Sequence, residues 1–419
     1  MSGPDEATAE RSLRTLTLSD KSWLYKGEGN ANVVLAMPAD GTVLRVMKDG
    51  GTAETLRLRT RYYDAIRRSF LDEYTDVPVL VSVHEEQLLE VDRRLRAQGC
   101  RPSDRLYKGL AFTVGLAAVC PDYTVLMQAR AAITPVYCVE IKPKQGWLHV
   151  TDRRAQARCA FCAHQYLKLC RGEISVVSRY CPLDLFSGRR ERVRRAVRRL
   201  LHTPQNNLKM FLDGVPLDGR DGGFARVASD AFGDEHRFAE FVAAVLLDDA
   251  AAGTDQEVHA AATEQDPATS LAGCDFEAIP MPRDCVLHKI LTMQKMQTTG
   301  FAIVYSEYDR SPKSAAAQFG HVDRLVRVAA AGGQFVLDPL DGYLVAATAQ
   351  DCSLFVTFSG TRMPSDTVQQ QRGVVRFGTG WYAVQVKVSD LDPKPLSTVE
   401  KHRKRNADML LACEQYLGR

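Results

Sequence analysis

The chain lacks any stretch apolar enough, over enough residues, to span a bilayer, and its opening MSGPDEATAERS has no apolar segment of the kind a signal peptide needs. It lacks a charge bias: 54 Lys and Arg stand against 51 Asp and Glu, so any strong field must be local. It lacks the dense, even cysteine framework of a secreted disulfide scaffold, because its eleven cysteines are scattered as reduced thiols of the cytosol or nucleus would be. No internal repeat is found. These absences exclude membrane-spanning, disulfide-stapled and solenoid classes, and point to a soluble cytoplasmic or nuclear protein. At 419 residues, two lobes or domains are the natural prior, and the 45% hydrophobic and 25% charged shares are those of an ordinary globular protein.

Period-two alternation in SWLYKGEGNANVVLAM predicts two short strands around a glycine turn, with TVLRVMK as a third strand ending on Lys48. Helical spacing follows from Thr52 to about Tyr74, then a strand-rich portion runs through KGLAFTVGLAAVCPDYTVLM to VYCVEIKPKQGWL. From Arg154 the pattern turns helical, and SRYCPLDLFSG marks a loop. In RRERVRRAVRRLL, Val193, Val197, Leu200 and Leu201 fall on one helical face, which leaves the arginines on the rest. The stretch 247–271, rich in Ala, Asp, Thr and Gln, reads as a mobile insertion or long linker. Beyond it, CVLHKILTMQKM predicts a helix, YLVAATAQDCSLFVTFS two strands, and WYAVQVKVSDLDPKPL a strand running into an acidic turn.

Three features converge on phosphate. The turn Gly27-Glu28-Gly29-Asn30-Ala31-Asn32 lets backbone N–H groups approach phosphate oxygens, although taken alone a tight hairpin is the better reading of it. It is not a Walker loop, because no Gly-Lys-Ser/Thr follows. Lys48 ends the next strand where kinase-like folds keep a phosphate-pairing lysine, or is simply exposed. In Glu140-Ile141-Lys142-Pro143-Lys144-Gln145-Gly146-Trp147, the period of two puts Lys142 and Lys144 on one side, and Pro143 forbids a central ladder position. Such a pair suits a polyanion, or an edge strand with ordinary lysines. Asp351, Asp390 and Asp392, with Lys394 close behind, provide carboxylates for magnesium or for an attacking hydroxyl, or serve as turn residues.

The blocks EIKPKQGW, RYCPLDLFSG, PQNNLKMFLDG, YLVAATAQDCS and DLDPKPL, in that order, resemble the signatures of inositol-pentakisphosphate 2-kinases, and GEGNANVVL with TVLRVMK resembles the family's nucleotide-binding segment. The resemblance runs from about Tyr25 to His402. It implies an α+β, two-lobed kinase-like fold with a smaller N-terminal lobe built on an antiparallel sheet, over 1–135, and a larger α/β C-terminal lobe over 136–419. It implies an ATP-dependent kinase for the 2-hydroxyl of inositol 1,3,4,5,6-pentakisphosphate, with Mg2+ as cofactor and ATP as co-substrate. Carried over by position, Gly27, Glu28, Gly29, Asn30, Asn32 and Lys48 bind ATP. Lys142 lies at the transferred phosphoryl group, and Lys144, Lys168, Asn206, Asn207 and Lys394 belong to the substrate region. Asp351 orients or deprotonates the hydroxyl, and Asp390 holds magnesium.

This chain departs from the family's pattern in places. Plant members carry a zinc site before the AATA block, but GFAIVYSEYDRSPKSAAAQFGHVDRL has no Cys-x-x-Cys pair, so zinc is not predicted. Cys159 and Cys162 form a Cys-x-x-Cys without a matching second pair, and Cys274, Cys285 and His288 fit no familiar zinc spacing. After Lys394, Thr398 and His402 stand where the family often has a basic residue and a tyrosine, and Lys401, Arg403, Lys404 and Arg405 are candidates to compensate. No residue near Cys120 to Tyr123 is assignable to adenine. The competing readings are an inositol polyphosphate kinase of other positional specificity, a degenerate family member kept as a scaffold, and a nucleic-acid-binding protein using the seven arginines of RRERVRRAVRRLL. The better-known multikinase motif PxxxDxKxG is absent, as are interleaved aromatics for nucleic acid. ATP and an inositol polyphosphate are therefore the expected partners of a monomer, without membrane or nucleic acid.

Overall fold

A computed structural model describes residues 13–126, 135–155, 158–249, 274–332, 336–361 and 373–417. The chain divides into two compact units, one formed by 1–67 and 76–122 and the other by 68–75 and 123–419. The insertion expected over 247–271 lies, from residue 250 onward, outside the described residues. No helix among the described residues is long and apolar enough to cross a membrane.

The first unit is an antiparallel sheet in the order β1-β2-β3-β5-β4, with strands Leu24–Glu28, Asn32–Met37, Thr42–Met47, Val79–Ser82 (β4) and Leu116–Pro121 (β5). Its two helices are α1, Ala53–Ile66, and α2, Glu85–Ala97. The pleat sorts the side chains. Val33, Leu35, Leu44 and Val46 join Leu88, Val91 and Leu95 of α2 in one core, while Met47 faces Leu56 of α1 in another. Thr52 caps α1 by accepting from the Thr55 amide at 3.1 Å. The helix expected to run to Tyr74 ends regularly at Ile66 and continues as a π turn over Arg67–Leu71 and a 3₁₀ turn over Asp72–Tyr74. α2 stands where the sequence reading had only a strand-rich portion.

The second unit carries a mixed-order but wholly antiparallel sheet, β10-β11-β9-β6-β7-β8. Its strands are β6 Tyr137–Ile141, β7 Leu208–Leu212, β8 Val215–Pro216, β9 Ser353–Thr361, β10 Val374–Phe377 and β11 Gly380–Ser389. Its helices are α3 Val150–Ala155, α4 Ala160–Cys170, α5 Pro182–Leu185, α6 Arg190–His202, α7 Gly223–Phe232, α8 Glu235–Leu246, α9 Val286–Gln294, α10 Phe301–Arg310, α11 Gly320–Ala331, α12 Pro339–Ala349 and α13 Thr398–Leu417. Phe241 of α8 meets Phe358 of β9 with ring centroids 5.0 Å apart, and Phe232 of α7 stacks on Tyr382 of β11 at 5.3 Å. Two antiparallel sheets, each with its own helices, make this the α+β fold that the sequence implies.

Three local expectations are corrected. The first half of YLVAATAQDCSLFVTFS is not a strand but α12, started by Asp338 accepting from the Asp341 amide at 2.8 Å with Pro339 next. Every residue from Leu340 to Ala349 is buried, so the helix has no polar face, and a short all-apolar run does not reveal its own period. The loop expected at SRYCPLDLFSG contains the short helix α5. Finally, β6 stops at Ile141, so Lys142 and Lys144 do not share a strand face. Lys142 still donates its amide to Asn207 O at 2.9 Å, Pro143 has no amide to donate, and Lys144 turns away with φ of 60°.

Candidate active site

The Lys142–Gly146 turn is held by buried side chains from three places in the fold. Asn207 donates its amide to Lys142 O at 3.3 Å, Tyr180 donates its hydroxyl to Pro143 O at 2.7 Å, and Gln294 of α9 donates to Lys144 O at 2.8 Å. Gln294 Oε1 also accepts from the Gly146 amide at 2.8 Å. Successive carbonyls that would otherwise be orphaned are thus all paired. Glycine is required at 146, because a Cβ there would lie 1.9 Å from Phe186 Cδ2. Lys144 holds an unusual left-handed conformation, as does Asp390 just beyond β11 with φ of 59°.

These backbone devices aim a cluster of charges. Asp351, half-exposed just past the end of α12, receives Lys144 Nζ at 3.2 Å on one oxygen and Lys394 Nζ at 2.7 Å on the other. Lys142 Nζ lies 3.5 Å from Asp390 Oδ2. Ser353 Oγ, at the start of β9, lies 2.9 Å from Asp390 Oδ2 and 2.8 Å from Glu140 Oε1. Burial raises the affinity of Asp351 for a proton, but Lys394, Lys144 and Lys142 outweigh it and hold the carboxyl well below the usual carboxylate range. Burial works against the Lys142 ammonium, yet Asp390, Asp351 and Glu140 prevail and raise it. For Lys144 burial prevails over Asp351, and Lys142 adds to it, so that ammonium is lowered.

Further cations lie on α4 and α13. Lys168 lies on α4, and burial followed by Arg405, Lys168, Arg171 and Lys144 pushes His164 down to about 4. Burial, then Arg405, Lys401 and Lys394, pushes His402 down to about 3, and its Nδ1 lies 2.7 Å from the Tyr343 hydroxyl. Of the basic residues offered as compensation on α13, Arg405 is within electrostatic reach of Asp351, whereas Arg403 and Lys404 pair with Glu400 at 2.8 and 3.7 Å. The fixed positive charge suits an acceptor that carries several phosphates.

In the first unit, Gly29 donates its amide to Asn32 O at 2.9 Å, closing the β1–β2 turn. Glu28 points inward and is buried, pairing with Lys48 and with Arg101, whose Nε lies 2.9 Å from its Oε1. Burial raises the Glu28 carboxyl, but Arg101 and Lys48 overcome this and lower it. Lys48 is itself 2% exposed, so the pair resembles the lysine–glutamate pair of kinases with the glutamate supplied by β1. Asn30 Oδ1 accepts from Arg105, and Asn32 Oδ1 accepts from Arg59 at 3.4 Å.

The structure separates the two asparagines: Asn206 is exposed, whereas Asn207 is buried with its side chain holding the Lys142 carbonyl. The sequence reading missed Gln294, Tyr180 and Ser353. Gln294 alone left a signal, a polar residue on the apolar helical face marked by Leu287, Ile290 and Leu291. The cysteine reading is also corrected. Cys159 and Cys162 do not lack a second pair, because Cys181 and Cys274 join them, with all four Sγ atoms within 4.8 Å of one another.

A lysine buried against an internal glutamate behind a glycine turn, together with two lysine-paired aspartates ringed by cations, is the equipment of a phosphotransferase of the kinase class. The chain belongs to the inositol-pentakisphosphate 2-kinase family, whose model matches residues 25–408. An inositol-pentakisphosphate 2-kinase of Danio rerio is 25% identical across 94% of this chain and 93% of its own length. One from Arabidopsis thaliana is 26% identical across 91% of each.

Proposed function

We propose that the protein transfers the γ-phosphate of ATP to the 2-hydroxyl of inositol 1,3,4,5,6-pentakisphosphate, giving inositol hexakisphosphate and ADP. The reading is carried by one observation: Asp351 is bonded on both oxygens by lysines, beside a Lys142–Asp390 pair, on the motif blocks the family shares. The acceptor oxygen attacks the γ-phosphorus, the bond to the β-phosphate oxygen breaks, and the hydroxyl proton leaves through Asp351 to water. A carboxylate held so strongly ionised aligns the hydroxyl and takes its proton late, as a loose transition state permits. Lys142 neutralises charge on the phosphoryl group in flight. Lys144, Lys168, Asn206, Lys394 and Arg405 face the ring phosphates, and Asn207 sets the Lys142 backbone.

Gly27, Gly29, Asn30 and Asn32 present the turn to the nucleotide phosphates, with Glu28 orienting Lys48 from behind. Asp390 fits magnesium, a hard cation that takes oxygen ligands: its carboxylate is 38% exposed, with the Ser353 hydroxyl and the Lys142 ammonium beside it. Bound there, magnesium would neutralise phosphate oxygens. The test is to incubate the pure protein with magnesium-ATP and the pentakisphosphate and to resolve the products by anion exchange. Hexakisphosphate is expected, and Lys142→Ala and Asp351→Ala should each lower kcat by about 100-fold or more with an unchanged circular dichroism spectrum. Failure of folded, ATP-binding protein to make product overturns the reading.

A further inference from the structure

His402 stands among the cations of the second unit with no part in the phosphoryl transfer described above. Val399, His402, Arg405 and Met409 recur at helical spacing on one face of α13, and Val399 and Met409 are buried, so this face points inward. The histidine is half-buried on it. Its Nδ1 lies 2.7 Å from the Tyr343 hydroxyl of α12, and the two rings meet edge to face with centroids 5.9 Å apart. Tyr343 belongs to the core formed with Leu344, Leu396 and Val399, which fixes the hydroxyl and with it the imidazole. Nε2 makes no hydrogen bond within the described residues.

Lys394, Lys401 and Arg405 act on this ring as cations, and Asp351 opposes them. Burial first, and then those three cations, keep it neutral in the free protein. A neutral ring whose Nδ1 accepts the Tyr343 proton carries its own proton on Nε2, the nitrogen left for a ligand. The same hydroxyl can turn and accept from Nδ1–H, so the pair survives protonation of the ring. An acceptor bearing several phosphates brings about 1.5 to 2 negative charges on each. Seated among these cations, it reverses the field that keeps the ring neutral.

We propose that His402 donates from Nε2 to a phosphate of the acceptor and takes up one proton from solvent as the acceptor binds. The imidazolium that results donates from Nε2 to phosphate, as a charge-assisted bond, and from Nδ1 to the Tyr343 oxygen. The inference rests on the reading of this cluster as the inositol polyphosphate site and adds to it a link between acceptor affinity and pH. Because the bound protein holds the extra proton, binding tightens as the pH falls through the bound ring's midpoint.

His164 on α4 also responds to Arg405, so His402 has to be observed by itself. The full chain, carrying isotope-labelled histidine, is titrated by NMR, alone and saturated with the pentakisphosphate in the absence of ATP. The imidazole line that is missing from His402→Gln should keep its neutral position in the free protein down to about pH 5.5, and titrate with a midpoint of about 6.5 in the complex. If that variant does not fold, Tyr343→Phe assigns the line, since it shifts the ring that loses the hydroxyl. Between about pH 7.5 and 5.5, the affinity of the unaltered chain should rise about tenfold relative to folded His402→Gln. A His402 line that stays neutral in the complex, or the same pH dependence of affinity in the folded variant, overturns the inference even if hexakisphosphate is made. A folded chain that neither binds nor phosphorylates the pentakisphosphate overturns the functional reading along with it.

Discussion

Asp351 shows how little room a single residue in this site has to act otherwise. With Lys144 on one oxygen and Lys394 on the other, it remains anionic far into acid, so substitution removes a fixed charge and leaves two ammonium groups facing each other. Gln294 shows the same constraint one step back from the chemistry. It is 1% exposed and satisfies both the Lys144 carbonyl and the Gly146 amide. Replacing it by leucine leaves a buried acceptor and a buried donor unpaired, which costs about 1–3 kcal/mol each. Gln294→Leu should therefore lower the denaturation midpoint, and the protein that remains folded should turn over at least several-fold more slowly as Lys144 drifts. An unchanged urea midpoint would count against this role. The lysines and aspartates stood out as candidates by residue type, although the period of two misplaced Lys144, whereas the side chains that hold their backbones did not stand out, because a buried amide in an apolar helix looks like noise in one sequence.

Among the elements, α6 departs furthest from its sequence appearance. Its apolar face is as its spacing predicts, with Val193, Val197, Leu200 and Leu201 fully buried. Its arginines are not a solvated face. Arg192, Arg195 and Arg199 converge on Asp184 at 2.8, 3.1 and 3.2 Å, Arg190 and Arg194 reach Glu240, Arg198 reaches Glu235 and Arg189 reaches Glu277. Guanidinium groups committed to carboxylates of the same unit in this way are not a free basic stripe of the kind that tracks a nucleic-acid backbone. Asp184, buried within α5, is the hub, and Asp184→Ala strands guanidinium groups in the interior. The expected loss is about 3–5 kcal/mol, read by chemical denaturation. A change under about 1 kcal/mol would show that water reaches these arginines in place of the carboxylate. The period of α6 was readable because it is amphipathic, and that of α12 was not because it is buried all round.

The whole molecule carries its pH dependence on histidines that folding keeps neutral. Burial and nearby cations push His402 to about 3 and His164 to about 4, and burial with Arg324 pushes His321 to about 4. Their unfolded values are about 6.5, so between that pH and about 3 the unfolded chain binds more protons than the folded one. Stability is therefore full above about 6.5 and falls as the pH drops toward 4. Melting temperature should decline steadily from pH 7 to 5, and His402→Gln should flatten the decline; an identical slope would remove His402 from the account. By itself the sequence determined the family, the order of the motif blocks and the strands around the glycine turn, and it singled out the charged side chains as candidates, because residue type and short spacing are local properties. Tertiary structure alone decided which lysine meets which aspartate, that the arginines of α6 are spent internally, and that Cys159 lies against Cys274, 115 positions away. Contacts between distant segments depend on how whole faces pack, and no local period encodes them.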